Sequence, residues 1–229
     1  MSGSLNLAER VREALKAKYI WHHPFMKLLY SGKLTPHQLR GWIVNRYYFL
    51  KCVPVKDAMI LSKCTDPELR KLWLIRLSKR EGLGGYLGDV EGWAEFAKAA
   101  GIPRQVLEKS KIIPGVKMAV NSYLDFVRHT NWLYAMSATL AESMLIDELP
   151  RRLKALSEKY EWIEPEGLEF FYQRMSYLTE EIEIVSRAIE KKILSSEQLK
   201  KCIKAAKFNC DVQWAILDAI YMKYIVTSQ

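Results

Sequence analysis

Residues 35–50 read TPHQLRGWIVNRYYFL, and this stretch has the spacing of an amphipathic helix. Thr35 is a residue type that caps helix N-termini, and Pro36 suits the first helical position, where the backbone N–H needs no partner. Apolar side chains then recur three or four residues apart, at Leu39, Trp42, Ile43, Tyr47 and Leu50. We therefore predict a helix that starts here and runs to about residue 51.

The rest of the chain repeats this helical spacing, and no segment alternates with the period of two that a strand requires. This first helix is expected to bend at Pro54 and to resume to about residue 64. Further helices are predicted over about 7–19, 67–81, 91–100, 116–129, 132–160 with an interruption at Pro150, 165–193 and 196–224, and a short one is predicted within 103–114. Because the sequence holds no linker, internal repeat or low-complexity tract, we expect one all-α helical bundle over residues 1–229.

The composition is that of a globular protein, because 49% of the residues are hydrophobic and 27% are charged. The longest uncharged run, residues 131–141, is too short to span a bilayer. The first ten residues lack the apolar segment of a signal peptide. Four cysteines form no CxxC pair, which favours reduced thiols over a disulfide scaffold. We therefore expect a cytoplasmic protein that does not associate with membranes.

Lys and Arg outnumber Asp and Glu by 35 to 26, which gives a net charge of +9 and raises the question of an anionic partner. Lysines concentrate over residues 191–207, where the last helix begins. Such a stretch is typical of a solvated helix face, with nonspecific RNA or an acidic protein as the alternative. Cations on inward faces are more informative, because a buried charge is costly unless it is paired.

Six cations fall on the inward faces of the predicted helices, a number equal to two-thirds of the net charge. They are Arg46, Lys56, Arg76, Arg80, Arg152 and Arg174. Glu142 and Glu181 could neutralise one or two of them in internal salt bridges, and an Arg at a stripe edge could reach water. Because the inward cations outnumber these acids, we expect an anion pocket at the bundle centre. Arg suits a small polycarboxylate or a phosphorylated molecule, whereas DNA-binding proteins expose their cations.

The same residues lie in ordered segments that resemble the pyrroloquinoline quinone synthase (PqqC) family from about residue 7 to residue 224. The segments are His22-His23-Pro24-Phe25, Gly41-Trp42-Ile43-Val44-Asn45-Arg46-Tyr47-Tyr48, Pro54-Val55-Lys56-Asp57-Ala58, Trp73-Leu74-Ile75-Arg76, Pro114-Gly115-Val116, Trp162-Ile163-Glu164-Pro165, Phe171-Tyr172-Gln173-Arg174 and Trp214-Ala215-Ile216-Leu217-Asp218-Ala219. The resemblance implies a haem-oxygenase-like (TenA/PqqC) helical bundle that forms a homodimer. It also implies the family's activity, the ring closure and oxidation of a polycarboxylated quinone precursor by molecular oxygen, without metal or organic cofactor.

The resemblance carries family roles onto particular residues. It implies that the substrate-binding cations are Arg46, Lys56, Arg76, Arg152 and Arg174, to which we add Arg80 for its inward position. Tyr123, Glu142 and an N-terminal histidine, His22 or His23, match polar pocket residues of the family. We predict that Glu142, His23 and Tyr123 are the catalytic residues.

Five positions depart from the family pattern. Arg80 stands where the family has a catalytic His, and the replacements for a second His, a Tyr, a Gln and a Lys are Leu149, Phe170, Leu50 and Asn209. Leu, Phe and Arg cannot give and take protons near neutral pH. Two functions therefore remain open: an oxygen-dependent oxidoreductase of pyrroloquinoline quinone biosynthesis, or a paralogue that binds a small aromatic polyacid with altered or no catalysis.

Other chemistries of the superfamily fit the sequence less well. Thiaminase-type relatives need a nucleophilic Cys on the central helix, and no Cys lies between Cys64 and Cys202. Glu81, Glu142 and Glu181 could form a carboxylate cluster, but the four histidines form no i, i+3 or i, i+4 ligand pair, so we predict no metal site. Haem binding by His22 or His23 is a further alternative. The loop over residues 82–88 lacks phosphate-binding spacing and is interpreted as a connector or a lid.

Overall fold

The computed structural model describes residues 6–227. Every regular element in this range is helical, so the predicted all-α class is confirmed. The α-helices are α1 (Leu7–Leu15), α2 (Pro24–Tyr30), α3 (Pro36–Lys63), α4 (Pro67–Glu81), α5 (Asp89–Ala99), α6 (Arg104–Lys109), α7 (Pro114–His129), α8 (Trp132–Thr139), α9 (Leu145–Lys159), α10 (Glu169–Glu190) and α11 (Ser196–Tyr221). Short 3-10 segments occupy Lys16–Lys18, Ile20–His22, Leu140–Met144 and Pro165–Leu168, and a π-helical turn, Met222–Val226, follows α11. Within residues 6–227, no helix combines the length and the apolar character that crossing a membrane would require.

The starts of α3 and α4 follow from capping residues in the sequence. The Thr35 hydroxyl accepts a hydrogen bond from the Gln38 N–H, while the Gln38 side chain accepts one from the Thr35 N–H. Asp66 caps α4 by accepting a hydrogen bond of 2.9 Å from the Leu69 N–H. Gly82 ends α4 at φ +83°, a left-handed conformation that favours glycine. These predicted boundaries are confirmed.

Three other boundaries differ from the predictions. The predictions missed α2, which Pro24 begins because the His23 ring accepts a hydrogen bond from the Phe25 N–H and caps it. The helix α3 continues through Pro54 as a single element, so no second piece resumes after the proline. The predicted interruption at Pro150 is wrong: this proline lies early in α9, and the break falls instead at Leu140–Met144. Pro150 removes one backbone N–H donor from α9, yet the helix continues through it.

The core surrounds α3, which packs against α4, α5 and α7, while α11 packs against α7 and α8. Trp42, Trp73 and Trp93 are fully enclosed and anchor this packing. The rings of Trp42 and Trp93 meet edge to face with their centroids 5.2 Å apart, an arrangement that aromatic pairs prefer. The buried residues form one continuous core, and the cavity described below lies inside it.

Candidate active site

A narrow cavity opens between α3, α5, α7, α9, α10, α11 and the 3-10 segment Leu140–Met144. Its volume is about 730 Å³ when its open mouth is included.

Six of the predicted site residues line this cavity. They are Arg46, Lys56, Tyr123, Glu142, Arg152 and Arg174. They come from α3, α7, the 3-10 segment, α9 and α10, so residues far apart in sequence converge on one space. The inward direction of the four cations and of Glu142 agrees with the helical faces on which the sequence placed them, while Tyr123 was expected here from the resemblance.

Arg76 and Arg80 are buried beside the cavity and do not line it. The Arg76 guanidinium donates to Asp57 at 3.1 Å and to Glu142 and Glu181 at 2.6 Å each. Burial alone would lower the pKa of Arg76, but these carboxylates hold it well above its ordinary value. Arg80 donates to Glu142 at 3.1 Å and Glu181 at 2.9 Å. Both guanidiniums are thus committed to protein carboxylates, and their roles in substrate binding stay predictions.

Three buried acids of this region were missed by the sequence reasoning. Asp57 lies 2.7 Å from the Lys56 ammonium, and Glu148 accepts two hydrogen bonds from Arg152, at 2.6 and 2.9 Å. The third, Asp89, lies near Arg80 and Arg174. The helical spacing of Glu148 and Arg152, four residues apart, was a signal that could have revealed their pair.

Internal salt bridges therefore neutralise most of the inward charge. The six inward cations face five buried or largely buried carboxylates: Asp57, Asp89, Glu142, Glu148 and Glu181. The expected excess of inward cations shrinks to one. Pairing of this kind is required, because an uncompensated buried charge is strongly destabilising.

The remaining cation is Arg46, which has no carboxylate at ion-pair distance within residues 6–227. It donates a short hydrogen bond to the Gln213 side-chain oxygen, and its guanidinium lies over the Phe49 ring, 4.3 Å from the centroid. Gln213 in turn donates to Asn209 at 3.2 Å. Burial, with the nearby Arg152 charge, lowers the pKa of Arg46 to about 9. Neutral amides thus hold Arg46, so its charge is left for an anion in the cavity.

The polar atoms of Tyr123 and Glu142 differ in their hydrogen bonding. The Tyr123 hydroxyl is buried without a hydrogen-bond partner, and burial raises its pKa well above the ordinary value. Glu142 accepts hydrogen bonds from three guanidiniums, those of Arg76, Arg80 and Arg174, at 2.6–3.1 Å. The Tyr123 hydroxyl is therefore free to bond a ligand, whereas Glu142 is held in place.

His23 does not line the cavity, although it is buried. One ring nitrogen caps α2, and the other lies 3.0 Å from an Asp218 carboxylate oxygen. Burial lowers the pKa of His23 from its ordinary value. His22 is exposed and accepts a hydrogen bond from the Trp21 indole. The structure therefore does not bring either histidine to the other predicted catalytic residues.

Four of the positions that depart from the family pattern lie on the cavity wall. They are Leu50, Leu149, Phe170 and Asn209, while the fifth, Arg80, lies behind it. The Phe170 ring packs edge to face against Trp93, with centroids 5.9 Å apart. This side of the wall is therefore mainly apolar. Within residues 6–227, no three His, Cys, Asp or Glu side chains are grouped so that they could hold a metal ion.

Curated relatives that carry the same name share about a third of their residues with this chain. The curated pyrroloquinoline-quinone synthase of Ectopseudomonas mendocina (strain ymp) is 34% identical over 98% of this chain and 91% of that protein. The synthase of Pseudomonas aeruginosa (strain PAO1) is 35% identical over 90% of this chain and 83% of that protein.

Solved structures show the same fold at lower identity. A CADD-like protein of unknown function from Nostoc punctiforme superposes with a TM-score of 0.77 at 16% identity, covering 96% of this chain and 97% of that one. The haem oxygenase-2 of Synechocystis gives 0.68 at 14% identity, covering 98% and 90%. The fold is thus haem-oxygenase-like. The family model described as the TENA/THI-4/PQQC family matches residues 10–219, so the chain belongs to that family.

Proposed function

We propose that this protein acts in pyrroloquinoline quinone biosynthesis as an enzyme like pyrroloquinoline-quinone synthase. Its nearly full-length similarity to curated synthases supports this function. The observation that carries it onto the site is Arg46, a cavity cation that has no carboxylate at ion-pair distance within residues 6–227. A carboxylate of the quinone precursor would supply the missing negative charge, in the two-bond geometry that a guanidinium favours.

The other cavity cations would orient the remaining acid groups of the substrate. Lys56, Arg152 and Arg174 line the cavity but already face Asp57, Glu148 and Glu142 respectively. They would therefore contribute hydrogen-bond donors and direction more than net charge. The Tyr123 hydroxyl, which has no hydrogen-bond partner within residues 6–227, would donate to a substrate oxygen.

The proposed reaction is an oxidation by molecular oxygen with no cofactor. Each two-electron step would remove two hydrogens from the substrate and convert one O₂ to one H₂O₂. The protein would have to accept a proton from the substrate while the electron pair goes to oxygen. The apolar wall at Leu50, Leu149 and Phe170 would exclude bulk water from this step.

A turnover experiment tests this proposal. Purified protein is mixed with the quinone precursor in air-saturated buffer, while quinone absorbance, oxygen uptake and peroxide are followed. We expect quinone to form with peroxide, and expect Arg46→Ala to reduce kcat/KM about 100-fold through loss of a charge-assisted contact. The matched control is Arg128→Ala, which removes a surface guanidinium paired to Asp125. A folded wild type that forms no quinone would exclude the synthase activity.

A second candidate is a paralogue that binds a small aromatic polyacid with altered or no catalysis. The observation that favours it is the replacement of proton-exchanging groups by Leu149 and Phe170 on the wall itself. Calorimetry with pyrroloquinoline quinone separates the two functions. Binding that needs Arg46, without turnover of the precursor, would support the paralogue, and absence of binding to the wild type would exclude it.

The resemblance further supports a homodimer, while the composition, the absence of a linker and the inward placement of the cations support a cytoplasmic protein of one domain over residues 1–229 with no nucleic-acid partner. Light scattering after size-exclusion chromatography tests the first point, and a mass of 26.6 kDa would indicate a monomer instead. Cell fractionation tests the location.

A further inference from the structure

Asp89 is a buried carboxyl that the mechanism above does not use. It is the first residue of α5 and lines the cavity, with 4% of its surface exposed. The loop over residues 82–88 sets its position, because Gly88 adopts φ +73° and a Cβ there would come within 2.9 Å of the Gly82 nitrogen. The loop thus closes tightly on itself and directs Asp89 inward.

The two carboxyls of the cavity wall are held differently. Glu142 accepts three hydrogen bonds from guanidiniums. Asp89 lies 3.5 Å from an Arg80 nitrogen and 3.6 Å from an Arg174 nitrogen, distances longer than a charge-assisted hydrogen bond. Three guanidiniums therefore hold the Glu142 carboxyl in place, whereas no guanidinium lies within hydrogen-bond distance of the Asp89 carboxyl in the described part of the chain.

Charged groups surround Asp89 on several elements. They are Arg80 and Arg76 on α4, Arg46 and Asp57 on α3, Glu142 on the 3-10 segment, and Arg174 and Tyr177 on α10. Burial and the negative charges of Glu142 and Asp57 favour the neutral acid, while Arg80 and Arg76 favour the anion. Burial prevails and raises the pKa of Asp89 to about 6, which is close to the pH at which a cytoplasmic enzyme works.

We propose that Asp89 is the side chain that exchanges a proton with the bound substrate, an assignment that rests on the proposed function of the cavity. When a substrate C–H or N–H bond breaks, its proton moves to an Asp89 carboxylate oxygen. The electron pair stays on the substrate until it passes to oxygen. A histidine is thus not required on the wall, because Asp89 supplies a group that can both take up and release a proton.

The first measurement needs neither substrate nor turnover. Carbon-13 NMR of protein labelled in its Asp carboxyls follows each signal from pH 4 to pH 9, in wild type and in Asp89→Asn. We expect one signal to titrate about two pH units above the others and to be absent from the variant. The control, Asp125→Asn, removes an exposed carboxyl and leaves that signal in place. If the Asp89 signal titrates with the ordinary carboxyls, the proposal is wrong.

The second measurement asks whether the proton is coupled to the ligand. Calorimetry of pyrroloquinoline quinone binding in two buffers of different ionisation enthalpy counts the protons taken up. We expect uptake of a fraction of one proton at pH 7 in wild type, because a nearby anion favours protonated Asp89, and none in Asp89→Asn. Binding without uptake in wild type would overturn the proposal.

The third measurement uses the precursor. We expect Asp89→Asn to lower kcat at least 100-fold with a smaller change in KM, and to remove the acidic limb of the pH profile, which Asp89→Glu partly restores. A variant with the wild-type profile would contradict the proposal. If wild type has no turnover and no affinity for the quinone, the proposed function fails, and the carboxyl titration alone still decides whether Asp89 changes protonation near neutral pH.

Discussion

Glu142 holds the guanidiniums of Arg76, Arg80 and Arg174 together, and its removal should leave all three short of negative charge. We expect Glu142→Gln to lower the free energy of unfolding by about 3–5 kcal/mol, which is typical when one partner of a buried ion network is lost. Urea unfolding followed by circular dichroism measures this change.

The control is Glu91→Gln at the surface, where Glu91 accepts two hydrogen bonds from Arg104. Both residues of that pair are about half exposed, so the loss should stay below about 1 kcal/mol. Equal losses of unfolding free energy in the two variants would mean that burial does not strengthen the ion pairs around Glu142.

The stability that Asp89 contributes should depend on pH, because burial raises the pKa of its carboxyl. Between its unfolded value of 3.8 and the folded value of about 6, the folded state binds more protons, so stability falls as the pH rises through this window. The difference corresponds to about 3 kcal/mol. We expect Asp89→Asn, which resembles the neutral acid, to be more stable than wild type at pH 8 and nearly equal at pH 4. Thermal unfolding at both values measures this, and a variant destabilised at pH 8 would show that Asp89 acts mainly as an ion-pair partner.

At the scale of the element, α4 depends on the residue that caps its start. Asp66 accepts the Leu69 N–H at the helix start and lies 2.6 Å from the Lys192 ammonium of the α10–α11 connection. These contacts lower the pKa of Asp66, so its contribution is present above pH 3.8 and is lost on acidification. We expect Asp66→Ala to cost about 1 kcal/mol at pH 7 in urea unfolding. Asp125→Ala, near the end of α7, should cost less than half as much, and a larger loss there would contradict the capping argument.

Helices with a capping residue and an apolar stripe could be predicted from the sequence, as α3 and α4 illustrate. The break at Leu140–Met144 could not, because no residue there opposes a helix and the tertiary packing of α8 and α9 sets it. Inward Arg residues were also visible from helical spacing. Their partners were not, because Arg76 and Glu181 are 105 positions apart and meet only in the folded bundle. Asp89 was hidden for a related reason: it precedes the predicted start of its helix, so no face could be assigned to it.

At the scale of the whole molecule, the inward charges nearly cancel, so the net charge lies mainly on the surface. Six inward cations face five carboxylates, so only one unit of the +9 charge lies inside. The rest lies on the surface, where it includes the lysines over residues 191–207, most of which are exposed. The interpretation of that stretch as a solvated face agrees with this exposure.

One continuous core also predicts how the protein unfolds. We expect calorimetry to show a single transition whose calorimetric and van't Hoff enthalpies agree. Glu142→Gln should move that whole transition to lower temperature without splitting it. Two separate transitions would instead indicate independently folding units, and would contradict a single domain.

Arg46 has a practical consequence for work with the purified protein. Its guanidinium contacts Gln213 and the Phe49 ring and forms no ion pair with a carboxylate in the described part of the chain, so it should attract small anions from the buffer. Phosphate or sulfate would then compete with the organic acid for the same place, and apparent affinities would depend on the choice of buffer. The same anions should protect against heat, by about 2.7 kcal/mol when their concentration is 100 times Kd. Melting temperatures in phosphate and in a zwitterionic buffer of equal ionic strength should therefore differ for wild type and agree for Arg46→Ala.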